Sequence, residues 1–234
     1  MIPPFLRRRW VAPAAVVVAL AWFVAGRSLW LPSAAHPWVN GALGATVLVA
    51  ALGGGLTTRE LGLERSEVGR GLRFGLAAWA GVAAVLVVVA LVPATRGLLR
   101  DDRAEVGVGA MVRQVLIVIP LGTALLEEVV FRGVLFSIAA RRTTEWRAAA
   151  ASSVVFGLWH VAPTLSTLGS NEATADATAL GEVLLVVAMV AAMTGAGLVF
   201  SWLRIRGRSL VAPFVFHAGV NATAFALAWA VVRG

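Results

Sequence analysis

Six polar side chains interrupt stretches that are otherwise apolar. Glu127, Glu128 and Arg132 lie in Leu126-Glu-Glu-Val-Val-Phe-Arg132, His160 ends Phe156-Gly-Leu-Trp-His160, and His217 and Asn221 belong to Phe216-His-Ala-Gly-Val-Asn221. An ionisable group inside a membrane span costs roughly 2.5–3.5 kcal/mol on insertion scales, so each needs a reason to be there. A carboxylate held in a dry pocket suits a general base. A neighbouring histidine can orient the same water or share its proton. A second histidine and an asparagine amide can donate hydrogen bonds to a developing oxyanion. Together these are the parts for water attack on an amide carbonyl. The plainer alternative is a buried polar network that holds helices together. For Glu128 with Arg132 taken alone, that alternative is the stronger one.

Spacing divides the work. Glu128 and Arg132 are four residues apart, as are His217 and Asn221, so on a helix each pair shares a face. Glu127 lies about 100° around the helix from Glu128. Glu128 is therefore expected to be neutralised by Arg132, leaving Glu127 free to act. Depth agrees across the three stretches. At about 1.5 Å of rise per residue, Glu127 lies roughly 21 Å from Arg141, His160 roughly 20 Å from Arg147, and His217 and Asn221 roughly 14 and 20 Å from Arg208.

The elements that must carry these groups are membrane helices. Of the 234 residues, 59% are hydrophobic and 14% charged, against about 25% charged in an average soluble domain. Such a chain has too little polar surface to cover a water-facing globule. Cysteine is absent, which excludes disulfides, Cys-ligated zinc and thiol catalysis. Apolar runs of about 20 residues can span a bilayer as helices. Seven are expected, roughly Trp10 to Leu29, Trp38 to Leu56, Leu72 to Val92, Met111 to Ala140, Trp146 to Leu165, Val183 to Trp202 and Leu210 to Val232. A membrane barrel would need alternating polar and apolar positions, which these runs lack. The expected fold is an all-α polytopic bundle, with N-terminal helices and a loop over 1–110 and a catalytic core over 111–234.

Arginine placement orients the bundle by the positive-inside rule. Thirteen arginines fall on one side: Arg7 to Arg9, Arg59, Arg65, Arg70, Arg73, Arg141, Arg142, Arg147, Arg204, Arg206 and Arg208. The expectation is an integral protein of the cell membrane, N-terminus cytoplasmic and C-terminus outside, its first span an uncleaved helix. The net charge of +8 could suggest nucleic acid, but topology and anionic lipid headgroups account for the arginines, and no nucleic-acid partner is expected.

Glu-Glu-x-x-x-Arg at 127–132, Phe-x-x-x-His at 156–160 and His-x-x-x-Asn at 217–221 resemble the three motifs of the CPBP family. These are the CAAX proteases and bacteriocin-processing proteins, also called Abi or Rce1-like intramembrane proteases. The resemblance covers about residues 111–232. Arg59-Glu-Leu-Gly-Leu63 also looks like a phrase common in such proteins. It implies an intramembrane endopeptidase acting on a peptide or protein, lipidated or membrane-bound, among membrane lipids. In prenyl-protein processing, relatives remove the last three residues after the lipidated cysteine. Many bacterial relatives are tied instead to peptide maturation, bacteriocin immunity or signalling. By the same resemblance, Glu127 and His160 activate the water, His217 and Asn221 form the oxyanion site, and Glu128 and Arg132 support the first motif.

The cofactor stays open between none and a divalent metal such as zinc. Glu127, His160 and His217 could ligate zinc with one position left for water, and family members are often labelled metalloproteases. No His-Glu-x-x-His pair supports this, and the chemistry favours a metal-free reaction. Intramembrane Glu and His also serve proton-coupled transporters, but the repeated halves of such carriers are not visible. A non-catalytic scaffold or immunity protein is the other rival. Pro120 is a candidate kink, His36 is read as a solvated loop residue, and the stretch with Asn171, Glu172 and Asp176 as a solvated connection.

Overall fold

Long runs of Leu, Val and Ala with no water to satisfy the backbone have one local solution, the helix, whose hydrogen bonds are internal. A computed structural model describes residues 11–22, 34–167 and 178–234, and is 86% helical, with no strand among the described residues. The elements are α1 (Val11–Ala21), α2 (His36–Gly53), α3 (Val68–Leu91), α4 (Val108–Ala140, alternating α- and π-helical turns), α5 (Glu145–Trp159, resuming as Val161–Thr167), α6 (Ala179–Gly207) and α7 (Val211–Arg233). The arginines at 7–9 and Arg27, the stretch with Asn171, Glu172 and Asp176, and part of the first expected span lie outside the described residues.

Five helices, α3 to α7, are long and apolar enough to cross a membrane. The expected count of seven is not reached among the described residues. The described part of α1 has 11 residues, about 17 Å of helix. The 18 residues of α2 open on His36-Pro37 and include Asn40, which dilute its apolarity. Pro37 at the first helical turn is where proline fits best. It draws His36 into the helix start, half-buried, which corrects the reading of His36 as a solvated loop residue.

The central element is α4. Half of its most apolar stretch is buried, against 6% for α3 and 11% for α6, whose outer faces present residues such as Val85, Val88, Leu184 and Val187. Pro120 has no N–H to give, and a π-helical stretch, Pro120–Ala124, begins there. Asn40 of α2, a buried polar residue the sequence reading passed over, donates to the Gly122 carbonyl in that stretch at 2.6 Å.

Small residues let the outer helices close on this centre, as in other membrane bundles. Gly75 of α3 lies against Ala212 and Val215 of α7, and Trp79 packs on Gly219 while donating to Thr223 Oγ1 at 3.0 Å. Gly157 of α5 faces α6 so closely that a Cβ there would fall 2.1 Å from Thr194 Oγ1 and 2.6 Å from the Val190 carbonyl. The threonine can rotate; the backbone carbonyl cannot. Gly157→Ala would gain about 1 kcal/mol in an ordinary helix. Here it is expected to destabilise by roughly 1–3 kcal/mol through overpacking, read as a lowered thermal midpoint of the purified protein.

The phrase Arg59-Glu-Leu-Gly-Leu63 staples three helix ends. The Glu60 carbonyl accepts from Ser137 Oγ of α4 at 2.7 Å and from Arg204 Nη2 of α6 at 2.7 Å. The Gly62 carbonyl accepts from the Leu210 N–H at 2.8 Å, before α7. Gly62 has φ +72°, and a Cβ there would meet the Arg204 guanidinium at 2.5 Å, so glycine is needed twice over. The Glu60 carboxylate accepts from Arg141 Nε at 2.6 Å and Nη2 at 2.8 Å. The Arg141 guanidinium holds the Glu60 carboxyl at about 2, below its usual 4.5. A folded-state value below the unfolded one means that this contribution is complete above pH 4.5 and is lost as pH falls toward 2. Glu60→Gln is therefore expected to lower the thermal midpoint at neutral pH, with the gap to wild type narrowing below pH 4.5 and closing near pH 2.

Candidate active site

Glu127 and Glu128 close a short α-helical stretch of α4, Leu125–Glu128, and Arg132 lies in the π-helical stretch that follows, Val129–Leu135. All three are buried, Glu128 and Arg132 completely. Arg132 Nη1 donates to Glu128 Oε1 at 3.1 Å, the pairing that the spacing implied. A second partner reaches the same oxygen from α7: His217 Nδ1 lies 2.8 Å from it. The other ring nitrogen, Nε2, faces Glu127 Oε2 at 3.9 Å. His217 thus bridges the two glutamates, and only Nε2 is left for any other task. Glu127 makes no hydrogen bond to a described residue, and its shortest ionic contact is the one to His217. Asn221, one turn further along α7, is half-buried and likewise makes no hydrogen bond among the described residues.

Charge buried this deeply needs other compensation. Three rings supply it. The Arg132 guanidinium carbon lies 4.1 Å from the Phe156 centroid, 4.7 Å from Phe200 and 5.8 Å from Phe131. The attraction of a cation to ring faces rises in a desolvated site. Nε and Nη2 of Arg132 have no hydrogen-bond acceptor among the described residues, and these rings are their environment. Phe200 also stacks on His217, centroids 4.7 Å apart at 21°. Phe156 meets His160 edge to face at 4.6 Å. The second motif's phenylalanine therefore contacts both Arg132 and His160, and Phe200 of α6 locks His217. Phe200 and Phe131 escaped the sequence reading because an apolar residue in an apolar span gives no contrast.

His160 sits where α5 breaks. Pro163 cannot donate to the Trp159 carbonyl four residues earlier, and the helix halts at His160 before resuming. The His160 N–H turns to the Gly157 carbonyl at 3.0 Å, and Nδ1 lies 2.8 Å from the Phe156 carbonyl. A carbonyl can only accept, so Nδ1 carries the proton and Nε2 is left as an acceptor. His160 is half-buried and close enough to Glu127 to interact with it electrostatically.

The metal question can be put to this geometry. Zinc in a catalytic site takes three converging protein ligands. Among the described residues no three of His, Asp and Glu converge in that way. His217 Nδ1 lies on Glu128, which leaves Nε2 directed at Glu127.

The chain matches the Type II CAAX prenyl endopeptidase Rce1-like family over residues 110–223. The likeness covers just under half of the chain. The match takes in α4 to the middle of α7, and with it all three motifs. Comparison with curated proteins and with solved structures found no match. The likeness to the Rce1-like family, with five apolar helices of spanning length, points to an integral membrane protein of a peptidase class.

Proposed function

We propose that the chain is an intramembrane endopeptidase that hydrolyses a peptide bond near the membrane, with Glu127 as general base. The supporting observation is the contrast between the two glutamates. Glu128 is tied to Arg132 and His217, while Glu127 has no hydrogen bond to a described residue, faces His217 Nε2 and interacts electrostatically with His160. A water within reach of Glu127 and His160 Nε2 gives its proton to Glu127 as its oxygen attacks the carbonyl carbon. The carbonyl oxygen becomes an oxyanion, which accepts from the Asn221 amide and from Nε2–H of protonated His217. As the tetrahedral intermediate collapses, Glu127 passes the proton to the departing amine, the C–N bond breaks, and a carboxylate and an amine leave.

The substrate we propose is a peptide or protein held at the membrane by a lipid or a span, a prenylated C-terminus being the type that the family description suggests. We further propose a cell-membrane location with N-terminus cytoplasmic and C-terminus outside. Five spans give the same orientation as seven, because the counts differ by an even number and the arginine-rich loops stay on one side. The test is cleavage of a peptide library, with and without a prenylated cysteine, by the purified protein in liposomes, read by mass spectrometry. Absence of any cleaved peptide in either library would refute the proposal.

A further inference from the structure

A second cavity, of about 650 Å³, opens at the arginine-rich helix ends, bordered by the Arg59–Leu63 staple, the end of α4 and the end of α6. Nine residues of α4, about 14 Å of rise, separate Phe136 on its wall from Glu127. The fully buried Val134 and Leu203 lie between the two sites along α4 and α6. Six arginines and four glutamates line it. Glu60 pairs with Arg141 at 2.6 Å, while Glu64 with Arg59 and Glu67 with Arg208 stand at 4.0 Å. Arg70, Arg204 and Arg206 have no carboxylate within that distance among the described residues.

Arg204 is the decisive one. It is 6% exposed, and its guanidinium lies flat on Gly62 and 5.7 Å from the Phe136 ring. Nη2 donates to one backbone carbonyl at 2.7 Å, Nε has no hydrogen-bond partner among the described residues, and the counter-charge of Glu145 at the start of α5 acts only from beyond 4.0 Å. A buried cation with one neutral acceptor and no carboxylate in contact is costly unless an anion completes it. The planar guanidinium fork matches phosphate oxygens, and Arg206 and Arg70 add charge at the rim. From these residues we infer that the cavity binds a phosphate-bearing anion, the phosphodiester headgroup of an anionic lipid or free phosphate, against Arg204. This site is independent of the proposed peptidase chemistry.

The test reconstitutes the full chain in nanodiscs of phosphatidylcholine with or without phosphatidylglycerol. Native mass spectrometry reads retained lipid, and thermal unfolding reads stability. The wild type should retain phosphatidylglycerol in preference to phosphatidylcholine. Arg204→Gln should cut that retention at least five-fold. Arg206→Gln, at an exposed rim position that leaves the Glu60 carbonyl bond in place, should cut it measurably, and Arg233→Gln at the opposite end of α7 should not. A thermal midpoint raised by millimolar inorganic phosphate in pure phosphatidylcholine, with the rise lost in Arg206→Gln, assigns the site to free phosphate. Retention of phosphatidylglycerol with no response to phosphate assigns it to the lipid. Retention equal in wild type, Arg204→Gln and Arg206→Gln, together with no response to phosphate, overturns the inference.

Discussion

Changing Glu127 to glutamine is expected to abolish peptide hydrolysis while leaving the bundle folded. The substitution keeps side-chain size and removes only the ability to take a proton. Glu127 has no hydrogen bond to a described residue to lose, and its ionic contact to His217 Nε2 is long at 3.9 Å, so thermal stability should change little. General-base catalysis is worth about 10²–10⁴ in rate, and the fall in turnover should reach that range. His160→Ala should produce a comparable loss, and the double variant should fall little further, because groups that act on one water are not additive. Turnover of a cleaved library peptide in liposomes, with the thermal midpoint measured on the same samples, tests both statements. Full activity in Glu127→Gln would remove Glu127 from the role of base. A scaffold built on the same fold would make no turnover for either variant to lose.

The parts of this site that were legible in the sequence are those where polarity contrasts with the span around it. Glu127, Glu128, Arg132, His160, His217 and Asn221 stand out because a bilayer tolerates such groups only for cause. Helical spacing brought out the Glu128–Arg132 pair, and the structure contains it. Spacing could not say which groups from different helices would meet. His217 was read as a partner of Asn221 on α7, yet its Nδ1 bonds across to Glu128 on α4. The ring box of Phe131, Phe156 and Phe200 is invisible for the opposite reason, since nothing marks one phenylalanine among many apolar neighbours. The π-helical turns of α4 are a tertiary outcome, in which Pro120 removes a donor and Asn40 arrives from another helix. The span count differed where length alone was weighed, since α2 has the length but opens on His36-Pro37.

Breaking the Glu128–Arg132 pair should have the largest effect on stability, and a double-mutant cycle separates its structural role from a catalytic one. Glu128→Leu leaves the Arg132 cation buried among three rings with no carboxylate in contact, and removes the Nδ1 partner of His217. Arg132→Met leaves Glu128 with His217 alone. Removing one partner of a buried ion pair costs about 3–5 kcal/mol, whereas replacing both by apolar residues is often close to neutral. Each single variant should therefore unfold far more readily than wild type, and the double variant should recover much of the loss, with a coupling of at least about 2 kcal/mol. Peptide hydrolysis should nonetheless stay low in the double variant, because His217 no longer has the carboxylate that directs Nε2 toward Glu127. Stability restored without activity would mean that Glu128 positions His217 as well as neutralising Arg132. If Glu128 were itself the base, Glu128→Leu would lose activity with little loss of stability. That pattern would exchange the roles assigned to the two glutamates.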